Sequence, residues 1–213
     1  MIAIIGGSGE LGRGLVERLA LSGERVIIGS RSPEKGKRAA EEIGKKIGRE
    51  VEAGSNRGAA EEAEIIVLSI PFDGLEEIAG EVRDAVRGKV VVSVIVPLRV
   101  GEVIEYFRPP SGSAAEEVAR LLPEARVVSA FHTVGAKQLQ NLDVPVRCDV
   151  VICGDDADSK KRVMELVGKI EGMRPIDGGP LRNSRLVEAT VALLVELTRR
   201  YRVPGVSIRF EGI

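Results

Sequence analysis

Four apolar residues, Ile2 to Ile5, run straight into Gly6-Gly7-Ser8-Gly9-Glu10-Leu11-Gly12, and an amphipathic stretch follows at once. No other feature of the chain restricts its fold so tightly. Gly7, Gly9 and Gly12 stand in the spacing G-x-G-x-x-G between a buried strand and a helix. That spacing lets a chain turn sharply, bring its backbone against a pyrophosphate and pack helix closely on strand. The phosphates of a dinucleotide then sit on a helix N-terminus, where unpaired N–H groups and the helix dipole favour negative charge.

The end of the next strand decides which dinucleotide. Sites for NAD place an Asp or Glu about 20 residues beyond the glycines, where it accepts hydrogen bonds from ribose hydroxyls. Here residues 25–29 end in Ser30-Arg31, with Lys35 one helical turn further on and no carboxylate at the strand end. A guanidinium forks onto phosphate oxygens, a hydroxyl donates to them, and the missing carboxylate removes the repulsion that excludes a 2′-phosphate. Ser32-Pro33-Glu34 supplies a helix start of its own, so Arg31 and Lys35 are not needed as its cap. The pattern selects NADP over NAD.

Further apolar runs at residues 65–70, 90–96, 127–131 and 150–153 read as buried parallel strands. Helical stretches separate them, at 12–21, 33–47, 58–63, 75–86, 113–122, 157–170 and 181–200. The expectation is an α/β fold: a Rossmann-type doubly wound parallel sheet with a small C-terminal α/β unit. The division falls near Pro145, giving 1–145 as the NADP-binding domain and 146–213 as the smaller one. The last helix carries Leu186, Ala189, Val191, Leu193, Leu194 and Leu197, a stripe suited to a core or a subunit interface. Val187 and Val195 add more apolar positions than one stripe needs, so a homodimer is expected.

Composition narrows the partners. With 31 basic and 32 acidic residues the net charge is −1, so no global field draws the chain to nucleic acid or an anionic membrane. Cys148 and Cys153, with a single His in the chain, match no zinc site or disulfide framework and read as buried free thiols. No metal site is expected. No stretch has the apolar length of a membrane span, which points to a soluble cytoplasmic protein. Thirty per cent charged residues beside three Asn and two Gln suggest a thermophilic source.

Ligands in open α/β sheets bind beyond the carboxyl ends of the strands. Three such ends stand out. Ser69-Ile70-Pro71-Phe72 keeps backbone available because Pro71 interrupts a helix start. Val94-Ile95-Val96-Pro97 is apolar to its tip and suits a flat ring system. Ala130-Phe131-His132-Thr133-Val134-Gly135-Ala136 carries the only histidine, which reads as a general acid/base, a structural imidazole or a hydrogen-bond donor to a ring carbonyl. A fourth segment, Asp177 to Arg185, is either a second anion site with Arg182 and Arg185 or a glycine-rich turn capped by Asn183 or Ser184. No Tyr-x-x-x-Lys pair exists, since Tyr106 is followed by Pro110 and Tyr201 by Gly205. NADP, apolar strand tips and few proton donors fit hydride exchange with another redox cofactor better than ketone reduction, which requires protonation.

At these residues the chain resembles the archaeal coenzyme F420-dependent NADP oxidoreductases over essentially its whole length. The carriers are Gly6 to Gly12, Gly29-Ser30-Arg31, Ser69-Ile70-Pro71, Val96-Pro97, Ser129 to Thr133, Cys153 to Asp156 with Ser159 to Lys161, and Gly179 to Glu188. The pattern departs from the family at Gly135, often Pro there, and at Phe72, often Trp. The resemblance implies reversible hydride transfer between reduced F420 and NADP without a catalytic side chain. It implies that Ser8 to Leu11, Ser30, Arg31 and Lys35 hold NADP, with Ile70, Val96 and Ala136 along its ribose and nicotinamide. Val96, Pro97, His132, Val134, Arg185 and the last helix would meet the deazaflavin. The same unit also resembles the reductase domain of metalloreductases, so an NADPH-dependent flavin or ferric reductase is a rival expectation; a non-catalytic NADP sensor is another.

Overall fold

A computed structural model describes residues 1–213. The glycine turn joins strand β1 (Ile2–Ile5) to helix α1 (Glu10–Leu21). Strand β2 (Val26–Gly29), helix α2 (Pro33–Ile47), the short strand β3 (Glu52–Gly54) and helix α3 (Asn56–Glu62) follow. Next come β4 (Ile65–Leu68), a 3₁₀ turn (Phe72–Gly74), α4 (Leu75–Val82) and β5 (Val90–Ser93). A two-stranded antiparallel hairpin, β6 (Leu98–Val100) and β7 (Ile104–Tyr106), precedes α5 (Ala114–Leu121) and β8 (Arg126–Ser129). The remainder is α6 (Ala136–Gln140), β9 (Cys148–Gly154), α7 (Ala157–Gly168), β10 (Met173–Asp177), a 3₁₀ turn (Leu181–Asn183) and α8 (Ser184–Tyr201).

Eight strands form one sheet in the order β10-β9-β8-β5-β4-β1-β2-β3. Successive side chains of a strand point to opposite faces. Accordingly Ile2 and Ile4 of β1 join a 30-residue core cluster with α1, α2 and α7, and Ala3 and Ile5 join a 23-residue cluster with α3, α4 and α5. Helices cover both faces, which is why the central strands β1, β2, β4 and β5 are buried along their whole length. Winding runs outward in both directions from the β1/β4 pair, and this switch point is where ligands of such sheets bind.

The structure corrects the expected strand directions at one place. β9 runs antiparallel to β8, through Val128↔Gly154 and Ser129↔Cys153, and β10 then pairs with it in parallel. The apolar run Val150–Cys153, almost wholly buried, looks the same read in either direction, so its composition carried no sign of this. The last helix also turns a different face inward from the expected stripe. Ser184, Glu188 and Leu194 are buried, whereas Leu186 is 72% and Leu193 57% exposed. The cause is polar: the Glu188 carboxylate accepts hydrogen bonds from the backbone N–H groups of Ala114 and Ala115, capping α5 and fixing the rotation of α8.

Candidate active site

Two clefts open at the carboxyl ends of the strands. The first, of about 440 Å³, is lined by Ser8 and Gly9 of the glycine turn, Ser30, Arg31, Ser32 and Lys35 after β2, Asn56 at the start of α3, and Ser69, Ile70 and Pro71 after β4. No acidic side chain is among its lining residues. Ser32 caps α2 by accepting from the Lys35 N–H, with Pro33 in the first turn, as expected. Arg31 is 70% exposed and meets only Glu77, at 3.6 Å, which leaves its guanidinium available to an incoming anion. Lys35 and Ser30 stand beside it.

The turn itself differs in one detail from the motif reading. The residue in the left-handed region is Gly6 (φ 82°), not Gly7, and a Cβ on Gly6 would lie 2.2 Å from the Ser69 carbonyl oxygen. Gly12 is needed for close packing, as its spacing implies, since a Cβ there would come within 2.4 Å of the Gly6 oxygen. Gly7 is buried against Ile4 and Ile28 and does not itself line the cleft.

The second cleft, of about 400 Å³, is mainly apolar. Val94, Val96 and Leu98 form one wall, Thr133 to Ala136 another, and Val191, Leu194, Val195 and Thr198 of α8 a third, with Val203 to Val206 closing it. Glu10 and Leu11, one step along the glycine turn from Ser8 and Gly9, line this second cleft rather than the first. His132 is buried in its wall; the Ile95 backbone lies close enough to the ring to favour its protonated form, but neither ring nitrogen makes a well-formed hydrogen bond. Burial pushes the imidazole down to about 4, so the ring is neutral at ordinary pH. Phe131, a buried aromatic residue, holds a left-handed backbone (φ 64°) that turns the chain after β8 and brings His132 and Thr133 into the wall. A bulky residue adopts that conformation only where its surroundings impose it.

Of the residues expected to meet a second ring, Val96, His132 and Val134 come together here, beside Ala136, which was expected along the nicotinamide. Pro97 is buried behind Val96, and its carbonyl accepts from the Phe107 N–H. Arg185 does not reach the lining: its Nε donates to Glu116 at 2.7 Å, and Glu116 is held below the ordinary carboxyl range by hydrogen bonds from Arg185 and Ser113 that outweigh its burial. The turn before α8 is fastened rather than open, with Asn183 Nδ2 donating to the Gly178 oxygen at 2.7 Å and Lys160 paired with Asp177 at 2.7 Å. Sequence reasoning missed Asn56, whose signal was masked because it sits at a helix start, and Thr198 and residues 203–206, which carry no motif.

A doubly wound sheet with this glycine turn, a carboxylate-free cationic cleft at its switch point and an apolar cleft beside it defines a class: a Rossmann-type dinucleotide-binding oxidoreductase. Residues 1–97 match the family described as NADP oxidoreductase, coenzyme F420-dependent. Over its full length the chain is 40% identical to the F420-dependent NADP reductase of Methanocaldococcus jannaschii, covering 98% of that protein. The chain belongs to the F420-dependent NADP reductase family. A solved structure from Arthrobacter sp. FB24 superposes with a TM-score of 0.85 over 98% of both chains at 22% identity, which shows the shared fold. Metalloreductase STEAP3 of Rattus norvegicus is 29% identical over 93% of this chain, but that match spans 37% of the metalloreductase.

Proposed function

We propose that this protein catalyses reversible hydride transfer between reduced coenzyme F420 and NADP. The observation that carries the reading is the juxtaposition of the two clefts along residues 8–11: Ser8 and Gly9 face the cationic cleft, Glu10 and Leu11 the apolar one. A dinucleotide whose phosphates sit on the N-terminus of α1 has its adenosine end toward Ser30, Arg31 and Lys35 and its nicotinamide end toward the second cleft. The residues fit both coenzymes. Gly6 and Gly12 let the turn pack tightly against its own backbone, Gly9 lines the cleft without a side chain, and the cationic cleft lacks the carboxylate that would repel a 2′-phosphate. The apolar walls Val96, Val134 and Leu194 suit a flat ring, with the buried, neutral imidazole of His132 set in the wall beside them.

The chemistry supplied by the bound coenzymes is hydride exchange between two ring carbons. The chain's own contribution is positioning and exclusion of water. Neutral His132 orients a ring and takes no part as a charged acid. In this reading residues 1–145 form the NADP-binding domain, and residues 146–213 complete the deazaflavin site and an interface. Leu186 and Leu193 on α8 lie exposed, as do Val100 and Val103 of the hairpin, which Arg199 ties to α8 through the Gly101 oxygen at 2.9 Å. These residues form the core of a two-fold dimer of a cytoplasmic protein. Sedimentation across a dilution series, run beside an activity assay, should show a dimer; a fully active monomer removes the interface.

The activity is tested by mixing the protein with NADPH and oxidised F420 and following the nicotinamide and deazaflavin bands together. Equal loss of both is the expected result. Turnover with a flavin or ferric complex but none with F420 would establish the metalloreductase-like alternative, which the apolar cleft also accommodates. Tight NADP binding with no turnover on any acceptor would make the chain a sensor.

A further inference from the structure

The wall formed by residues 203–206 belongs to a C-terminal segment that lies outside the helices and strands of the fold. Residues 203–213 form no helix or ladder, and 209–213 are exposed. Such a segment is ordinarily the least stable part of a molecule. Here it is fastened at one buried carboxylate. Asp149, on β9, is fully buried, and Arg174, opposite it on β10, donates from Nε to its Oδ1 at 2.9 Å and from Nη2 to its Oδ2 at 2.6 Å. The Phe210 N–H donates to the same Oδ2 at 2.6 Å. The guanidinium turns its remaining donors onto the segment, reaching the Ile213 carbonyl at 2.7 Å and that of Phe210.

The backbone of Asp149 completes the arrangement. β9 pairs with β8 only through Cys153 and Gly154, so at Asp149 its edge is open; the Asp149 N–H donates to the Ile208 oxygen at 2.8 Å, and the Asp149 carbonyl accepts from the Thr133 hydroxyl at 3.0 Å. Thr133 is the neighbour of His132 in the cleft wall. Nearer the cleft, the Val206 N–H donates to Thr198 Oγ1 at 3.1 Å and Gln138 Nε2 to the Gly205 oxygen at 3.2 Å.

We propose that Asp149 and Arg174 are positioning residues for the second substrate: their bidentate pair locks residues 206–213 against the open edge of β9 and so holds Val203 to Val206 as a wall of the apolar cleft. This deepens the functional reading given above and rests on it, since the ring held by that wall is taken to be the deazaflavin. A bidentate pair with the further donors satisfied is the geometry in which a buried ion pair is effective rather than costly. Arg174 also holds the Asp149 carboxyl below its ordinary range, so the anchor stays ionised across neutral pH. The wall is thus set from outside the cleft, by residues that never touch its occupant.

The test replaces Arg174 by Met, which keeps the apolar stem, and by Lys, which keeps a charge but loses the fork. F420 and NADPH dissociation constants are read by fluorescence without turnover, and amide hydrogen exchange is read at residues 206–210. In R174M the exchange should become fast, F420 affinity should fall roughly tenfold as the wall must be ordered on binding, and NADPH affinity and kcat at saturation should stay within about twofold. R174K should recover part of the F420 affinity. Phe210→Pro, which removes one donor without touching the ion pair, should show the same split more weakly and covers the case in which R174M fails to fold. Unchanged exchange in R174M overturns the proposal. So does fast exchange with unchanged F420 affinity, or an equal loss for both coenzymes, which would mark a merely structural pair. A wild-type protein that binds no F420 overturns the reading of the cleft and the wall's role together, and is distinguished by failing before any variant is compared.

Discussion

The two clefts differ in how they are built. The cationic one is assembled from strand ends that adjoin in the sheet, β1, β2 and β4, each contributing a few consecutive residues whose backbone does most of the shaping. The apolar one draws residues 10–11, 94–98, 132–137, 191–198 and 203–206 from across the chain, and its shape depends on side chains, a strained residue at Phe131 and a segment fastened from behind. The first is a motif; the second is a result of tertiary packing. A change in the first should therefore act locally and steeply, through sterics or charge at one atom. A change in the second should be spread over many weak contacts.

The largest effect is expected where the motif is most crowded. Gly6→Ala would place a Cβ 2.2 Å from the Ser69 carbonyl oxygen at a residue with φ 82°, joining a clash with backbone to left-handed strain. We expect a loss on the order of 3 kcal/mol or more in stability and no measurable NADPH binding. Gly23→Ala is the control: its φ is 95° but nothing lies within 4 Å of the added carbon, so only strain of about 1 kcal/mol remains. Thermal melts with NADPH fluorescence titrations separate the two, and a Gly6→Ala protein that melts and binds like Gly23→Ala would show that the turn relaxes.

The same difference explains which parts of the site are legible in the sequence. The glycine turn, the Ser30-Arg31-Lys35 cluster and the Ser32 cap are local patterns, each set by contacts within a few residues, and the structure places them in one cleft. The Val96 and His132 segments were legible as strand ends because apolar runs stop there. Arg185 was misplaced because its partner, Glu116, is 69 positions away and no spacing announces it. The hairpin at 98–106 was missed because its strands have three residues each, too short for alternation to show. Asp149 was invisible as an anchor because it interrupts an apolar strand only once, and the meaning of that interruption depends on Arg174 and on Phe210, 61 residues further on.

Arg31→Ala sharpens the comparison on the motif side with a smaller effect. Its ion pair with Glu77 is long and both groups are about 70% exposed, so stability should change little. A charge-assisted fork onto a phosphate contributes roughly 1.5–3 kcal/mol, which corresponds to a rise of about ten- to a hundredfold in the NADPH Michaelis constant. The NADH constant should hardly move. Equal losses with both coenzymes would remove the assignment of the 2′-phosphate to Arg31.

His132→Gln is expected to be the mildest change in activity, because an amide can keep a hydrogen bond to a ring and the imidazole carries no charge in the working range. Turnover should stay within about tenfold, with no inflection lost from the pH profile. Stability gives a sharper reading. The His132 imidazole is lowered from 6.5 to about 4 by burial, so its contribution is present above pH 6.5 and is lost as pH falls toward 4. Glu188 is raised from 4.5 to about 7, chiefly by burial and against the N–H groups of Ala114 and Ala115, so its contribution is present below pH 4.5 and is lost as pH rises through 7. In the protein without coenzymes the two slopes oppose each other between about pH 4.5 and 6.5 and leave stability nearly level. Removing His132 exposes the other slope: His132→Gln should lose stability steadily as pH rises from 4.5 to 7 in denaturant titrations. A variant whose profile matches the wild type would mean that the imidazole is not held neutral by the cleft wall, and a drop in turnover of several orders of magnitude with intact coenzyme binding would make it an acid–base catalyst after all.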